Sequence, residues 1–236
     1  MPSMCKSAIA ILLIANAALV KIEPAFPQDK RDQKPADEQT KLNKALKDAT
    51  QKCDLATMRE LLKKGANPNW QDPDDNGKTA LIRAIFTKKV EVAKLLLENG
   101  ADVHVPAASG IKRHPVLYAG VIGTYGMAEF ILSKGGDKDV NHEAGMLGSL
   151  CAHGDSPAKM ITLMVKAGAD PNVLFEQAVP LIAAIKKGRP DYVKALIEAK
   201  ADINWKDKKG KSVMQYAIAS GDKEIIALLK EAGAKE

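Results

Sequence analysis

Histidines, cysteines and glycine-rich segments are the features of this sequence that could support catalysis, metal binding or phosphate binding. The four histidines, His104, His114, His142 and His153, include no pair at the four-residue spacing that puts two metal ligands on one helix face, and none belongs to an H-E-x-x-H sequence. Cys151 lies two residues from His153, so the two side chains would point to different faces of a helix. The sequence contains no phosphate-binding glycine loop and no nucleophile motif. It therefore predicts no catalytic residue, no metal site and no cofactor, and the chain is not expected to be an enzyme.

The composition favours closely packed helices. Aromatic residues make up 4% of the 236 residues, whereas apolar residues make up 46% and are mostly Ala, Leu, Ile and Val. Such a mixture suits helices that pack on small side chains better than a β-sandwich. The net charge of +6 is spread along the chain with acids and bases interspersed, which is too mild to indicate a nucleic-acid partner.

The first residues have the composition of an export signal. Lys6 precedes an apolar run over residues 8–20, which contains the small-residue sequence Ala15-Asn16-Ala17. This order is typical of a secretory signal peptide, and the run is shorter than the roughly 20 residues of a membrane span. We expect residues 1–17 to be a Sec-type signal peptide that is cleaved near Ala17–Ala18. The mature chain is then periplasmic or secreted and has no transmembrane span.

Residues 18–39 form the next segment of the chain. They contain three prolines and densely mixed charge, a composition that cannot bury a core. We expect a disordered linker here, followed by one domain over residues 40–236.

Within residues 40–236 the sequence repeats a helix end, a stop signal and a turn. Leu61–Asn69, Leu95–His104 and Met164–Asn172 each contain an apolar helix end followed by Gly-Ala-Asn or Gly-Ala-Asp. An alanine stands sixteen residues before each stop position, and the successive spacings are 35, 35, 33, 32 and 33 residues. These alanines are Ala49, Ala84, Ala119, Ala152, Ala184 and Ala217. Repetition at one period indicates a stacked array.

The residues around these alanines identify the kind of repeat. Thr79–Ala84 has the sequence TALIRA, His114–Ala119 has HPVLYA and Val179–Ala184 has VPLIAA. They resemble the ankyrin repeat, whose signature is T-P-L-H-x-A in a unit of about 33 residues. The resemblance covers residues 40–236. It implies an all-α solenoid of about six helix-turn-helix repeats with hairpin-like loops, preceded by the signal peptide and linker.

Several positions depart from the family pattern. Repeat four is the most degenerate, and the histidine of T-P-L-H is absent from every copy. His114 stands at the threonine position and is expected to cap a helix. Lys200 replaces the glycine that ends the second helix, so we expect a strained left-handed residue there.

Cys53 and Cys151 are the two cysteines outside the predicted signal peptide. An even number of cysteines in an oxidising compartment would allow a disulfide. The two residues lie about three repeats apart, however, which is beyond the reach of one bridge. Both are therefore expected to be free thiols that pack in the core.

The resemblance implies that a protein partner binds the loop tips and the exposed side of the first helices, which form the concave face of an ankyrin array. The loop before repeat six is lysine-rich, whereas the loop before repeat two carries Asp72, Asp74 and Asp75 and is expected to contribute little to binding. Trp70 and Trp205 follow an asparagine in equivalent places, and either pack their loops or anchor a partner. The lysines either form a binding groove or only keep the array soluble. The candidate contact residues are Lys186, Lys187, Lys206, Lys208, Lys209, Lys211, Trp205, Leu174, Phe175 and Trp70.

These features indicate a non-catalytic protein-interaction module of bacterial type that is exported to the periplasm or the cell exterior. The expected partner is another protein with an acidic patch, and the expected state of the chain itself is a monomer. Two alternatives remain open. One is a secreted effector or toxin-neutralising, immunity-type protein, and the other is a binder of anionic envelope surfaces.

Overall fold

The computed structural model of the chain describes residues 36–108, 113–122, 124–140, 145–153 and 156–235. The predicted signal peptide, residues 18–35 of the predicted linker, and His142 lie outside these residues. The described part contains twelve α-helices in six consecutive pairs. They are α1 (Ala36–Gln51) and α2 (Leu55–Lys63), α3 (Ala80–Thr87) and α4 (Val90–Glu98), α5 (Pro115–Val121) and α6 (Tyr125–Ser133), α7 (Met146–His153) and α8 (Lys159–Lys166), α9 (Pro180–Lys187) and α10 (Pro190–Glu198), and α11 (Val213–Ser220) and α12 (Lys223–Glu231).

The helix pairs stack as a two-layered solenoid. Each first helix packs on the first helix of the next repeat, from α1 on α3 through to α9 on α11, and each second helix packs on the next second helix. Single antiparallel β-bridges between Asp72 and Lys78, Phe175 and Ala178, and Lys206 and Ser212 close hairpin-like loops. The predicted all-α repeat architecture is therefore confirmed. None of the helices in the described residues combines the length and hydropathy needed to cross a bilayer.

The first helix begins at Ala36, four residues before the predicted start of the domain. Asp37 and Glu38 lie in its first turn, where negative charge interacts favourably with the helix dipole. Gln39 donates its side-chain amide to the carbonyl of Gly65 at 2.9 Å. Residues 36–39 therefore belong to the first repeat.

Threonine, serine and proline begin the first helices as the repeat pattern indicates. The hydroxyls of Thr79 and Ser212 accept backbone N–H bonds at the starts of α3 and α11. Pro115 and Pro180 occupy the first positions of α5 and α9, where a missing N–H costs nothing. Gln215, which stands where the family carries histidine, completes a capping box with Ser212.

The alanine of the motif lets neighbouring first helices approach closely. The alanines of five repeats are buried, with at most 5% exposure. Ala152 of repeat four is only half-buried, and the adjacent Cys151 is fully buried. The connection between α7 and α8 covers residues 154–158, whereas that between α3 and α4 covers only residues 88 and 89. Counting back from the stop signal therefore gives the wrong register for repeat four.

The two cysteines have different environments, and both are free thiols. Cys151 lies in the core, where burial raises the pKa of its thiol to about 12. Cys53 is half-buried in the turn between α1 and α2, where it packs against the core.

The stop signal is a left-handed residue in each repeat. The glycines that follow the second helices have φ values between +85° and +105°. Lys200 has φ +65°, so the left-handed conformation predicted for it is confirmed. A residue with a Cβ atom is disfavoured in this region of backbone space.

Polar side chains after the stop signal join successive repeats. Asn69 accepts a hydrogen bond from the backbone N–H of Asp102 at 2.8 Å, and Asn172 accepts one from that of Asp202 at 2.7 Å. The third bridge of this kind runs from the backbone N–H of Lys235 to Asn204 at 2.9 Å. Each asparagine therefore satisfies a backbone donor of the next repeat.

In the middle of the array, His104 and Asp139 occupy the positions equivalent to these asparagines. Nδ1 of His104 lies 2.7 Å from Oδ2 of Asp139, which is 4% exposed. His114 forms no side-chain capping hydrogen bond, contrary to expectation. Its Nε2 lies 3.9 Å from Oδ1 of Asp139, so its side chain faces the turn after α6 instead of the start of its own helix.

Replacing Lys200 with glycine should stabilise the protein. Removing the Cβ atom relieves the left-handed strain by about 1 kcal/mol, which corresponds to an increase in Tm of about 2–4 °C for a domain of this size. Thermal unfolding measures the effect.

Ala199→Gly is the matched control, because Ala199 lies in the same turn with φ −79°. It should lower Tm, since glycine there gains nothing in the folded state and adds freedom to the unfolded chain. A lower Tm for Lys200→Gly would contradict the strain assigned to this turn.

Candidate partner-binding surface

The basic loop, residues 205–212, projects before α11. Lys206, Lys208 and Lys209 are exposed along it, and Lys211 is half-buried. A β-bridge between Lys206 and Ser212 holds the two sides of the loop together. The loop therefore presents four ammonium groups from one short segment.

Asp207 gives the basic loop its shape. Its Oδ1 accepts the backbone N–H groups of Lys209 and Lys211 at 2.8 and 2.9 Å, and its Oδ2 accepts the hydroxyl of Tyr216 at 2.7 Å. The bond from Tyr216, followed by that from Lys211, lowers the pKa of Asp207 below the usual aspartate range. The same bond raises the pKa of Tyr216. The carboxylate is thus charged, and both of its oxygens accept hydrogen bonds from within repeat six.

Tyr216 brings lysines from two repeats together. The Nζ atom of Lys186, from α9, lies 5.5 Å from the centre of its ring, and Nζ of Lys211 lies 4.2 Å from it. Both distances are within the range of cation–π attraction. Lys187 follows Lys186 and is also exposed. These two and the lysines of the basic loop form the basic surface, which consists of Lys186, Lys187, Lys206, Lys208, Lys209 and Lys211.

The acidic loop, residues 71–78, differs from the expectation of an exposed acidic end. Asp72 is fully buried and lies 2.6 Å from Nζ of Lys47, and Asp74 lies 2.7 Å from Nζ of Lys44. Asp75 contacts both Lys78, at 3.0 Å, and Arg83. The aspartates are therefore neutralised by α1, by their own loop and by α3. The acidic loop holds repeats one and two together and is not a free surface of negative charge.

Leu174 and Phe175, predicted as one apolar contact, have different environments. Leu174 is 55% exposed. Phe175 is half-buried against repeat four, where a Cβ atom on Gly148 would clash with the Cβ atom of Phe175. The centre of the Phe175 ring lies 6.2 Å from that of the His153 ring. Gly148 carries no side chain, and this leaves the space that Phe175 occupies.

Trp70 and Trp205 are both half-buried. The backbone carbonyl of Trp205 accepts the N–H of Val213, and its side chain packs against the core. Trp205 thus supports the base of the basic loop.

A second concavity, the apolar groove, crosses repeats two to four and has a volume of about 410 Å³. It lies where the first helices end and the second helices begin. Its lining consists of Phe86, Lys88, Val121, Ile122, Thr124, Tyr125, His153, Ser156 and Pro157.

No group of three or more histidine, cysteine or acidic side chains in the described residues could hold a metal ion.

Comparison with known proteins agrees with the geometry. The family model for ankyrin repeats (3 copies) matches residues 6–107 and 147–236, which is more than half of the chain. The chain belongs to the ankyrin-repeat family. A crystal structure of an ankyrin repeat domain from Acinetobacter baumannii at 1.00 Å resolution is 28% identical, with a TM-score of 0.67, and the similarity covers 80% of this chain and 98% of that one.

Curated ankyrin-repeat relatives are much longer proteins. E3 ubiquitin-protein ligase KEG of Arabidopsis thaliana is 25% identical over 191 residues, covering 75% of this chain and 12% of its own length. Arf-GAP with coiled-coil, ANK repeat and PH domain-containing protein 3 of Homo sapiens is 43% identical over 51 residues, covering 22% of this chain and 6% of its own. The shared region is the ankyrin array, a fold that generally serves as a non-catalytic module for protein–protein interaction.

Some residues of these candidate surfaces were not predicted from the sequence. Asp207 and Tyr216 organise the basic surface, and Phe86 and Tyr125 line the apolar groove. Phe86 occupies the position two residues after the repeat alanine, where Lys186 stands in repeat five. Comparing that position across repeats could have revealed the groove, whereas the contact between Tyr216 and Asp207 depends on the conformation of the loop.

Removing the buried charge of the acidic loop should destabilise the ankyrin array. Asp72→Asn is expected to cost about 3 kcal/mol at pH 7, because it leaves Lys47 without its buried partner. Burial acts to raise the pKa of Asp72, but the hydrogen bond from Lys47 and the nearby positive charges outweigh it and lower the pKa. The stabilisation from a lowered pKa is complete above about pH 4 and disappears as the pH falls through the folded-state value. The difference from wild type in urea unfolding should therefore shrink below about pH 4.

Asp74→Asn is the control, because Asp74 pairs with the same helix but its side chain is 68% exposed. It should cost less than about 1 kcal/mol. Equal losses in the two variants would contradict the assigned role of Asp72.

Proposed function

We propose that this ankyrin-repeat protein binds a partner protein through the basic surface, and that the partner presents an acidic patch there. The observation that carries the proposal is a contrast between the two ends of the array. The aspartates of the acidic loop are paired internally, whereas no described acidic side chain forms a salt bridge with any of the six lysines of the basic surface. Positive charges that form no salt bridge with a described acidic side chain are available to a ligand of opposite charge.

The geometry supports recognition of a specific protein surface. Tyr216 and Asp207 fix the basic loop, so binding does not have to order it. Clustered lysines accelerate the encounter with an acidic partner and select against basic ones more than they add affinity. Trp205 at the base of the basic loop and Leu174 in the preceding loop are proposed as flanking apolar contacts, while Phe175 serves mainly to pack repeats four and five.

Reversing the charge of Lys206, Lys208 and Lys209 to glutamate should slow association with the partner at least about tenfold at low salt. It should also remove most of the salt dependence of the association rate. The partner is first captured on the wild-type protein from a periplasmic fraction, and the rates are then measured with purified components by surface plasmon resonance.

A matched triple reversal at Lys194, Lys223 and Lys230 gives the same change in net charge on second helices of repeats five and six. All three are exposed, and the association rate of this control should change by less than about threefold. Equal slowing by both triple variants would mean that only net charge matters. Unchanged binding in both would reject the basic surface, and binding of anionic lipid vesicles without any protein partner would favour the anionic-surface alternative.

We further propose that the protein is exported, because residues 6–17 have the order of basic residue, apolar core and small-residue site of a signal peptide. The mature chain should begin near Ala18 in the periplasmic or secreted fraction. N-terminal sequencing after cell fractionation tests this, and an intact Met1 in the cytosolic fraction would contradict it.

A further inference from the structure

We infer that the apolar groove is an anchor site for a large apolar side chain, carried on an acidic segment of the partner protein. The inference deepens the proposed function and rests on the partner being acidic. It adds a second contact region, several repeats away from the basic surface, and a requirement for a particular kind of side chain.

Exposed aromatic surface is the first observation. Phe86 is 47% exposed at the end of α3, and its ring lies 5.7 Å from that of Tyr118. Repeat five carries Lys186 at the equivalent position, so the fold does not require an apolar residue there. Val121, Ile122 and Tyr125 extend this apolar surface into a groove of about 410 Å³. Apolar surface gathered in one concavity with a polar rim is typical of an interaction site.

Charge identifies the class of occupant. The described lining of the groove contains the basic side chains of Lys88 and His153. One further lysine lies against an aromatic ring at its edge: Nζ of Lys159 is 4.2 Å from the centre of the Tyr125 ring. An apolar side chain flanked by carboxylates complements this arrangement, whereas one flanked by basic residues would be repelled.

A smaller concavity lies between the apolar groove and the basic surface. His153 lines the groove, and the preceding residue, Ala152, lines this smaller concavity with Phe175, Lys186 and Lys187. The rings of Phe175 and His153 are in T-shaped contact between the two concavities. One extended acidic segment could therefore place an apolar side chain beside Phe86 and its carboxylates beside Lys186.

Peptide selection on the purified full-length protein tests the inference. A displayed library of random 12-residue peptides should yield sequences that combine net negative charge with at least one large apolar residue. Fluorescein-labelled copies of the enriched peptides then serve as probes in fluorescence anisotropy. Replacing the apolar residue of a probe with alanine should weaken its binding at least about tenfold.

Phe86→Lys is the decisive variant, because it adds positive charge while removing the aromatic ring. It should weaken the probes at least about tenfold, although simple charge attraction would make acidic probes bind more tightly. Ile218→Lys is the matched control, since Ile218 is 51% exposed on α11, outside the groove. That variant should bind the probes as tightly as wild type or slightly more so. Thermal unfolding confirms that both variants are folded.

Three outcomes would overturn the inference: no enrichment of any peptide, enriched peptides without a large apolar residue, or unchanged binding to Phe86→Lys. The triple reversal of Lys206, Lys208 and Lys209 separates this inference from the proposed function. If that variant no longer binds the probes while Phe86→Lys still does, the basic surface is the binding site and the groove is not the anchor. If only Phe86→Lys loses them, the groove binds the probes without the basic surface.

Discussion

The satisfaction of backbone N–H groups by the preceding repeat is the constraint on which the array depends. In three turns after a second helix an asparagine of the previous repeat accepts a backbone N–H group at 2.7–2.9 Å, and in the first repeat Asn43 of α1 accepts the equivalent N–H group of Asn67 at 2.8 Å. A hydrogen bond of this kind contributes about 0.5–1.5 kcal/mol. The left-handed glycine sets the direction of the turn, and the buried alanine lets the helices approach closely enough for the bond to form. Stacking of helices and loops therefore follows from the same short sequence.

The charged side chains of the loops have different partners at the first and last junctions of the array. At the first junction Asp72 and Asp74 meet Lys47 and Lys44 of α1, so that charged groups join two repeats. At the last junction Asp207 is held by Tyr216 and by backbone N–H groups, which leaves the lysines around it facing solvent. Similar loops thus have opposite roles. Loop composition alone does not distinguish them, because the role depends on whether the first helix of the preceding repeat carries side chains of opposite charge that reach the loop.

The repeat architecture was predictable from the sequence because its determinants are local. Glycine, alanine, proline and threonine act within one or two helical turns, and the strain at Lys200 followed from the stop position alone. Contacts between repeats were not predictable in the same way. His114 has the position of a capping residue but faces Asp139, which lies 25 residues further along the chain. The acidic loop looked free because Lys44 and Lys47 precede it by about one repeat. The candidate contacts fell between these cases: the lysines were visible in the sequence, whereas the apolar groove depends on three repeats coming together.

The contact between Phe175 and Gly148 limits how this array can change by recombination. Tandem arrays gain and lose units by duplication and deletion when one junction is equivalent to the next. Here the ring from one unit occupies the space that the missing side chain of its neighbour leaves open. Inserting a unit between them, or exchanging the fourth for one with any residue other than glycine in place of Gly148, would place a Cβ atom within the volume of Phe175 or leave the ring without a surface to cover. Repeats four and five are therefore expected to be inherited together, and the central part of the chain should be less tolerant of changes in repeat number than either end.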